Sequence, residues 1–147
     1  MIFLVHHADA VGPDVDAQRP LSAAGRARAQ RLAAEAATRG VKPDAVWHSG
    51  KLRARQTAEV FRRACNPLAE FAVIRGLRPD DPPGEIKARL AGERRDVMLV
   101  GHMPGLPRLL HDLLGLGEDT PARSFPQHGL IALEVADGVW VERWRLA

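Results

Sequence analysis

Cysteine occurs once in the 147 residues, at position 65, so no disulfide can form within the chain, and a reducing cytosolic setting fits. Long apolar runs are also missing. The opening "MIFLV" falls short of the roughly 7–15 residues of a signal-peptide apolar region, lacks a basic segment before it, and nothing later approaches a membrane span. These absences predict a soluble, cytoplasmic chain with no membrane partner. No repeat or low-complexity stretch is evident, and 147 residues at 46% hydrophobic suit one domain over 1–147 with one core. Lysine is scarce: 18 of the 21 basic residues are arginine, while the net charge is only +3. Arginine's planar fork matches phosphate oxygens, so a phosphate-bearing partner is indicated. The arginines recur singly among alanines, as on solvated helix faces, and no nucleic-acid partner is expected.

What is present alternates. "MIFLV" reads as a buried strand, followed by the alanine-rich helix "SAAGRARAQRLAAEAATRG", with Ser22 as its N-cap and Gly40 as its stop. "DAVWHS" is a short strand, "KLRARQTAEVFRRAC" a second helix, and "EFAVIRG" a weaker third strand. The Pro-, Asp- and Gly-rich "LRPDDPPGE" interrupts before the helical "EIKARLAGE". "DVMLVG" is the clearest strand, Pro104 can open the helix "GLPRLLHDLLG", and "GLIALEV" and "VWVERWRL" form a hairpin turned by Asp137-Gly138. This order predicts a layered α/β domain with a mostly parallel sheet and an antiparallel edge.

Ligands of such sheets bind beyond the carboxyl ends of the strands. There the sequence places His6 and His7 after the first strand, His48, Ser49, Gly50 and then Arg53 after the second, and Gly101-His102 after the fourth. Histidine and arginine gathered on one edge suit phosphoryl transfer through a histidine nucleophile. A neutral imidazole attacks phosphorus in line, protein cations and donors hold the equatorial oxygens, and no metal is needed if they carry that load.

The motifs carry a resemblance to the histidine phosphatase superfamily. "HHA" (His6-His7-Ala8) stands where that family has Arg-His-Gly. "RPLSAAGRARAQ" resembles its Pro-Leu-Ser/Thr-x-x-Gly segment. "HSGKLRARQTAE" is similar to Ser-Pro-x-x-Arg-x-x-Gln-Thr, with Gly50 in place of proline, and "MLVGHMPGL" carries the second histidine. The short length, the "HADA" continuation and "GHMP" look most like the SixA-type phosphohistidine phosphatases. The resemblance implies a three-layer α/β/α sandwich of the phosphoglycerate mutase-like kind. It also implies His7 as nucleophile, Arg53 and His102 as catalytic phosphate ligands, and a phosphorylated protein or small phosphorylated molecule as partner. No cofactor is implied.

Two departures from the family pattern bear on function. His6 occupies the first arginine's place, and losing one charge-assisted contact costs on the order of 1.5–3 kcal/mol, or roughly ten- to a hundredfold in rate. Arg19, just before "PLS", is the candidate to recover part of this, and His128 in "PQHGL" is a candidate substrate contact. The second departure is the lack of a glutamate after the third strand; Asp80, Asp81 and Glu85 are the nearest carboxylates. An alkoxide leaving group needs such an acid, whereas imidazole leaving phosphohistidine needs less help. Phosphohistidine hydrolysis is therefore the expected activity, ahead of small phosphomonoesters, a non-catalytic phosphate- or phosphoprotein-binding module disabled by His6, and nucleic-acid binding. Of the other polar residues, Ser49 is expected to orient the second-strand loop, His48 to pack or support the motif, and His111 to lie on the surface. No metal site is expected at "HHAD", because a strand continuing through both histidines would point them to opposite faces.

Overall fold

A computed structural model describes residues 1–121 and 123–147. Four parallel strands, β1 (Ile2–His6), β2 (Ala45–His48), β3 (Glu70–Val73) and β4 (Val97–Gly101), form one sheet with the antiparallel β5 (Leu130–Ala136) and β6 (Val139–Leu146). The strand order is β3-β2-β4-β1-β5-β6, so β1 lies inside, parallel to β4 and antiparallel to β5. Every residue of β1 and β4 is buried, which is why both read as unbroken apolar runs.

Side-chain alternation along the strands divides the core in two. Phe3, Val5, Val46, Met98 and Val100 face α1 (Ala23–Thr38) and α2 (Leu52–Cys65). Ile2, Leu4, Trp47, Val97 and Leu99 face α3 (Gly84–Ala91) and α4 (Gly105–Leu113). The result is the expected three-layer sandwich. Each fully buried aliphatic side chain contributes roughly 1.5–3 kcal/mol to holding these layers together. On α4 the buried Leu106, Leu109, Leu110 and Leu113 recur at helical spacing and fasten one layer.

Local signals operate as the sequence suggests. Ser22 caps α1 by accepting the Gly25 N–H at 3.0 Å, and Gly40 takes the left-handed φ of 83° beyond its end. Asp137 and Gly138 both have positive φ, the geometry of a tight hairpin turn between β5 and β6. Pro104 sits one place earlier than expected, at the N-cap of α4. Among the described residues, no helix is long and apolar enough to cross a membrane.

Candidate active site

The carboxyl ends of β1, β2 and β4 open on a cavity of about 590 Å³, lined by His6, His7, Arg19, Arg53, His102 and His128 among others. All six residues singled out from the sequence therefore meet in one place. His6 is the last residue of β1, and its N–H still pairs, with the Gly129 carbonyl at 3.0 Å. His7 has left the strand and donates its N–H to Gly101 at 3.1 Å. Its Nδ1 lies 2.7 Å from the Ala8 carbonyl. A carbonyl only accepts, so the ring proton is on Nδ1 and the lone pair on Nε2.

Motif residues brace this turn. The Ala8 N–H donates to Thr57 Oγ1 at 3.0 Å, and that hydroxyl donates to the Arg53 carbonyl at 2.8 Å, tying the loop to α2. Gln56 Oε1 accepts the Leu21 N–H at 2.8 Å. Gly25 is required here, because a Cβ on it would lie 2.1 Å from the Asp9 carbonyl oxygen. Sequence reasoning assigned no role to Gln56 or Thr57, although they lie three and four residues beyond Arg53 on the same helix.

His102, 2% exposed, places Nε2 2.6 Å from Ser49 Oγ. Lys51 N–H donates to the same oxygen at 3.3 Å, and among the described residues the serine proton has no acceptor other than His102 Nε2. With that proton given to Nε2, His102 carries its own on Nδ1, a buried atom without a protein partner among the described residues. Arg53 Nε is buried and likewise unpartnered. Arg19 holds a left-handed φ of 52° and donates from Nε to the Val11 carbonyl at 3.0 Å, which leaves its two terminal nitrogens for the cavity it lines. His48 stays outside the cavity, accepting the Gly50 N–H at 3.1 Å on Nδ1 and packing on Phe71. His111 is half-buried, not on the open surface, with Nε2 3.1 Å from the Gly117 carbonyl.

Gly50 has a φ of 90°, which proline cannot adopt. Restoring the superfamily's usual residue by Gly50→Pro should therefore destabilise the fold, on the order of 2–3 kcal/mol from backbone strain and the lost bond to His48. A lowered urea midpoint measures this. An unchanged or raised midpoint would refute it.

His6 and His128 form a pair the sequence did not disclose. The His128 N–H donates to His6 Nδ1 at 2.8 Å, and His128 Nδ1 donates to the His7 carbonyl at 2.6 Å. The two rings stack 4.8 Å apart and 8° from parallel. Since His6 Nδ1 accepts, its neutral ring carries a proton on Nε2. The expectation that His6 and His7 point to opposite faces is corrected: β1 ends at His6, alternation ends with it, and the two rings lie 4.5 Å apart.

Burial pushes His6 and His102 down to about 3 and His7 down to about 4, with neighbouring histidines or Arg53 acting in the same direction and the Ala8 bond partly opposing for His7. All three are neutral at neutral pH. The permanent cations of the cavity are then Arg19 and Arg53. Between about pH 6.5 and 4 the unfolded chain binds protons that the folded chain refuses, so stability is full above about 6.5 and falls as the pH drops through this window. Proton-coupled NMR titration of the ring carbons should show all three neutral at pH 5. Midpoints near 6.5 would contradict it.

The candidate acids are elsewhere. Asp81 accepts the Arg78 N–H at 3.0 Å and, with Glu85, lines a separate cavity of about 380 Å³; Asp80 is exposed. Among the described residues lining the histidine-rich cavity, the one carboxylate is Asp9, which accepts the Ser22 hydroxyl at 2.7 Å. Asp9 was not among the site residues read from the sequence, though it follows His7 by two positions.

The family model described as histidine phosphatase superfamily (branch 1) matches residues 5–79, half of the chain, including both His7 and Arg53. The chain belongs to the histidine phosphatase superfamily. Solved structures agree along its whole length. A SixA protein histidine phosphatase complexed with tungstate superposes with a TM-score of 0.85 at 23% identity, covering 99% of this chain and 96% of that one. The putative phosphohistidine phosphatase SixA of Agrobacterium tumefaciens gives 0.80 at 28% identity, with coverage of 99% and 96%. The alpha-ribazole phosphatase of Shigella flexneri gives 0.74 at 19%, covering 97% and 94%. No curated protein matches the chain. Within the superfamily the chain is SixA-like, and its phosphoglycerate mutase-like fold is the one expected.

Proposed function

We propose that residues 1–147 act as a single cytoplasmic phosphohistidine phosphatase domain, working without a metal through a covalent phosphohistidine at His7. The observation that carries this reading is the tautomer of His7, whose Nδ1–H is fixed on the Ala8 carbonyl so that Nε2 meets the cavity as an unprotonated nucleophile. Nε2 attacks phosphorus in line as the P–N bond breaks to a substrate ring protonated on its other nitrogen, which leaves as neutral imidazole; water then hydrolyses the phosphoenzyme to inorganic phosphate and free His7. Arg53 and Arg19 supply charge to the equatorial oxygens. His102 Nδ1–H and His6 Nε2–H supply neutral hydrogen bonds, so His6 replaces the arginine's contact without its charge.

Substrate class follows from the carboxylates. Asp80, Asp81 and Glu85 do not line the cavity, and Asp9 is held by Ser22. An alcohol leaving group therefore has no free acid, whereas the imidazole leaving phosphohistidine is far less basic and departs with less help. Names among the structural relatives support the same direction, with SixA foremost. Asp9 sustains a second reading, hydrolysis of a small phosphomonoester, if it leaves Ser22 to protonate an alkoxide. Turnover of a phosphohistidine protein should exceed that of an alkyl phosphate and be accompanied by acid-labile, base-stable label on His7. Faster alkyl phosphate turnover that collapses in Asp9→Asn would favour the second reading. Phosphate binding with neither turnover nor label would leave a non-catalytic module.

A further inference from the structure

His6, His7 and His128 each offer a ring nitrogen, and these atoms all lie within 4.8 Å of one another. We propose that this cluster also binds a divalent transition-metal ion of the zinc class, and that the bound ion holds the phosphatase off by occupying the lone pair of His7. The inhibitory half rests on the phosphatase reading above; the binding half does not.

Zinc–nitrogen bonds of about 2.0–2.1 Å in a tetrahedral shell bring ligand nitrogens to roughly 3.3–3.4 Å apart, within reach of small side-chain rotations here. Two of the rings are already prepared. His7 and His128 each donate Nδ1–H to a backbone carbonyl, of Ala8 and of His7, which fixes the lone pair on Nε2. That outer hydrogen bond is the arrangement that orients metal-binding histidines and raises their basicity.

His6 is the least prepared ligand. Its lone pair is on Nδ1, where the His128 N–H now donates, so an ion must displace that bond or the ring must change tautomer. Arg19 and Arg53 line the same cavity and repel a dication, while Asp9 opposes them. This opposition of charges suits a reversible inhibitor and not a structural ion. An arginine at position 6 has no lone pair to offer. The site is therefore specific to the histidine that distinguishes this chain from the Arg-His-Gly motif.

Cobalt(II) or zinc(II) titrated into tag-free protein against a chromogenic chelator reports binding without reference to catalysis. One equivalent is expected, with intense visible cobalt bands of a tetrahedral nitrogen site. His128→Ala should weaken binding at least about 100-fold, beyond what loss of a merely outer partner does, and His6→Arg should weaken it by roughly tenfold or more. His111→Ala, remote from the cluster, should leave it unchanged. Absence of stoichiometric binding, or binding indifferent to both His128→Ala and His6→Arg, would overturn the site. In the activity arm, wild-type turnover should fall with zinc and return with chelator, while His6→Arg should need roughly tenfold or more zinc for the same fall. Stoichiometric binding with undiminished turnover would overturn the inhibition. A protein with no turnover at all would count against the phosphatase reading, and the chelator titration would still decide the site.

Discussion

His7→Ala is expected to lower kcat by on the order of 10⁴-fold or more and to abolish the phosphoenzyme at position 7, because the attacking lone pair is lost with the ring. The geometry gives the reason for so large an effect. His7 is the ring whose proton is pinned by its own backbone neighbour while its free nitrogen faces the clustered donors. His102 has its Nε2 engaged by Ser49, and His6 presents a proton and not a lone pair. Neither can take over the attack. The truncation opens space in the cavity and removes one side-chain donor from the part-buried Ala8 carbonyl, leaving the strand pairing of β1 intact, so the variant should fold and still bind inorganic phosphate through Arg19 and Arg53. Quench-flow with radiolabelled substrate measures both the rate and the trapped label. Wild-type hydrolysis by this variant would end the covalent mechanism.

Arg53→Ala is expected to reduce kcat/KM by about 10²–10³, the usual cost of removing one preorganised stabiliser of developing charge. With three histidines neutral, half of the permanent positive charge in the cavity resides on this residue. Arg53→Lys should recover only part of the loss, since an ammonium keeps the charge but not the planar fork. Stability should move the other way. Arg53 Nε is buried without a partner among the described residues, and burial and the nearby Arg19 lower the affinity of the guanidinium for its proton. Removing it relieves an unpaired polar atom and a like-charge contact, so the urea midpoint should be unchanged or higher while activity falls. A fall in both together would identify Arg53 as a scaffold residue.

The layers were readable because their signals are local. Continuous apolar runs gave β1 and β4, Ser22 and Gly40 bounded α1, and Asp137-Gly138 turned the last hairpin. Four polar positions, His6, His7, Arg53 and His102, were readable for a different reason: parallel strands deliver their carboxyl ends to one edge; Arg19 was a candidate only through its place before "PLS". The sixth, His128, was legible only as a candidate in a loop. Its two bonds to the start of the chain join residues more than a hundred positions apart, and no periodicity encodes such a contact. The opposite-face argument for His6 and His7 failed because alternation holds only while a strand lasts. Asp80 and Asp81 were near in sequence yet face away, because the turn at Arg78 draws Asp81 onto its own backbone.

The position of β1 within the sheet has a consequence for how the protein is made. The strand that carries His6 and His7 emerges first, yet its two neighbours, β4 and β5, begin at Val97 and Leu130. At synthesis rates of roughly 5–20 residues per second, β1 spends on the order of ten seconds outside the ribosome with both edges open. During that interval "IFLV" is an unpaired apolar strand, the kind of segment that chaperones hold and that aggregates when they do not. His128 arrives just ahead of β5, so the nucleophile receives its final support only about 120 residues after it is itself made. Catalytic competence is thus deferred until the β5–β6 hairpin is made, and nascent chains lacking that hairpin should be inert.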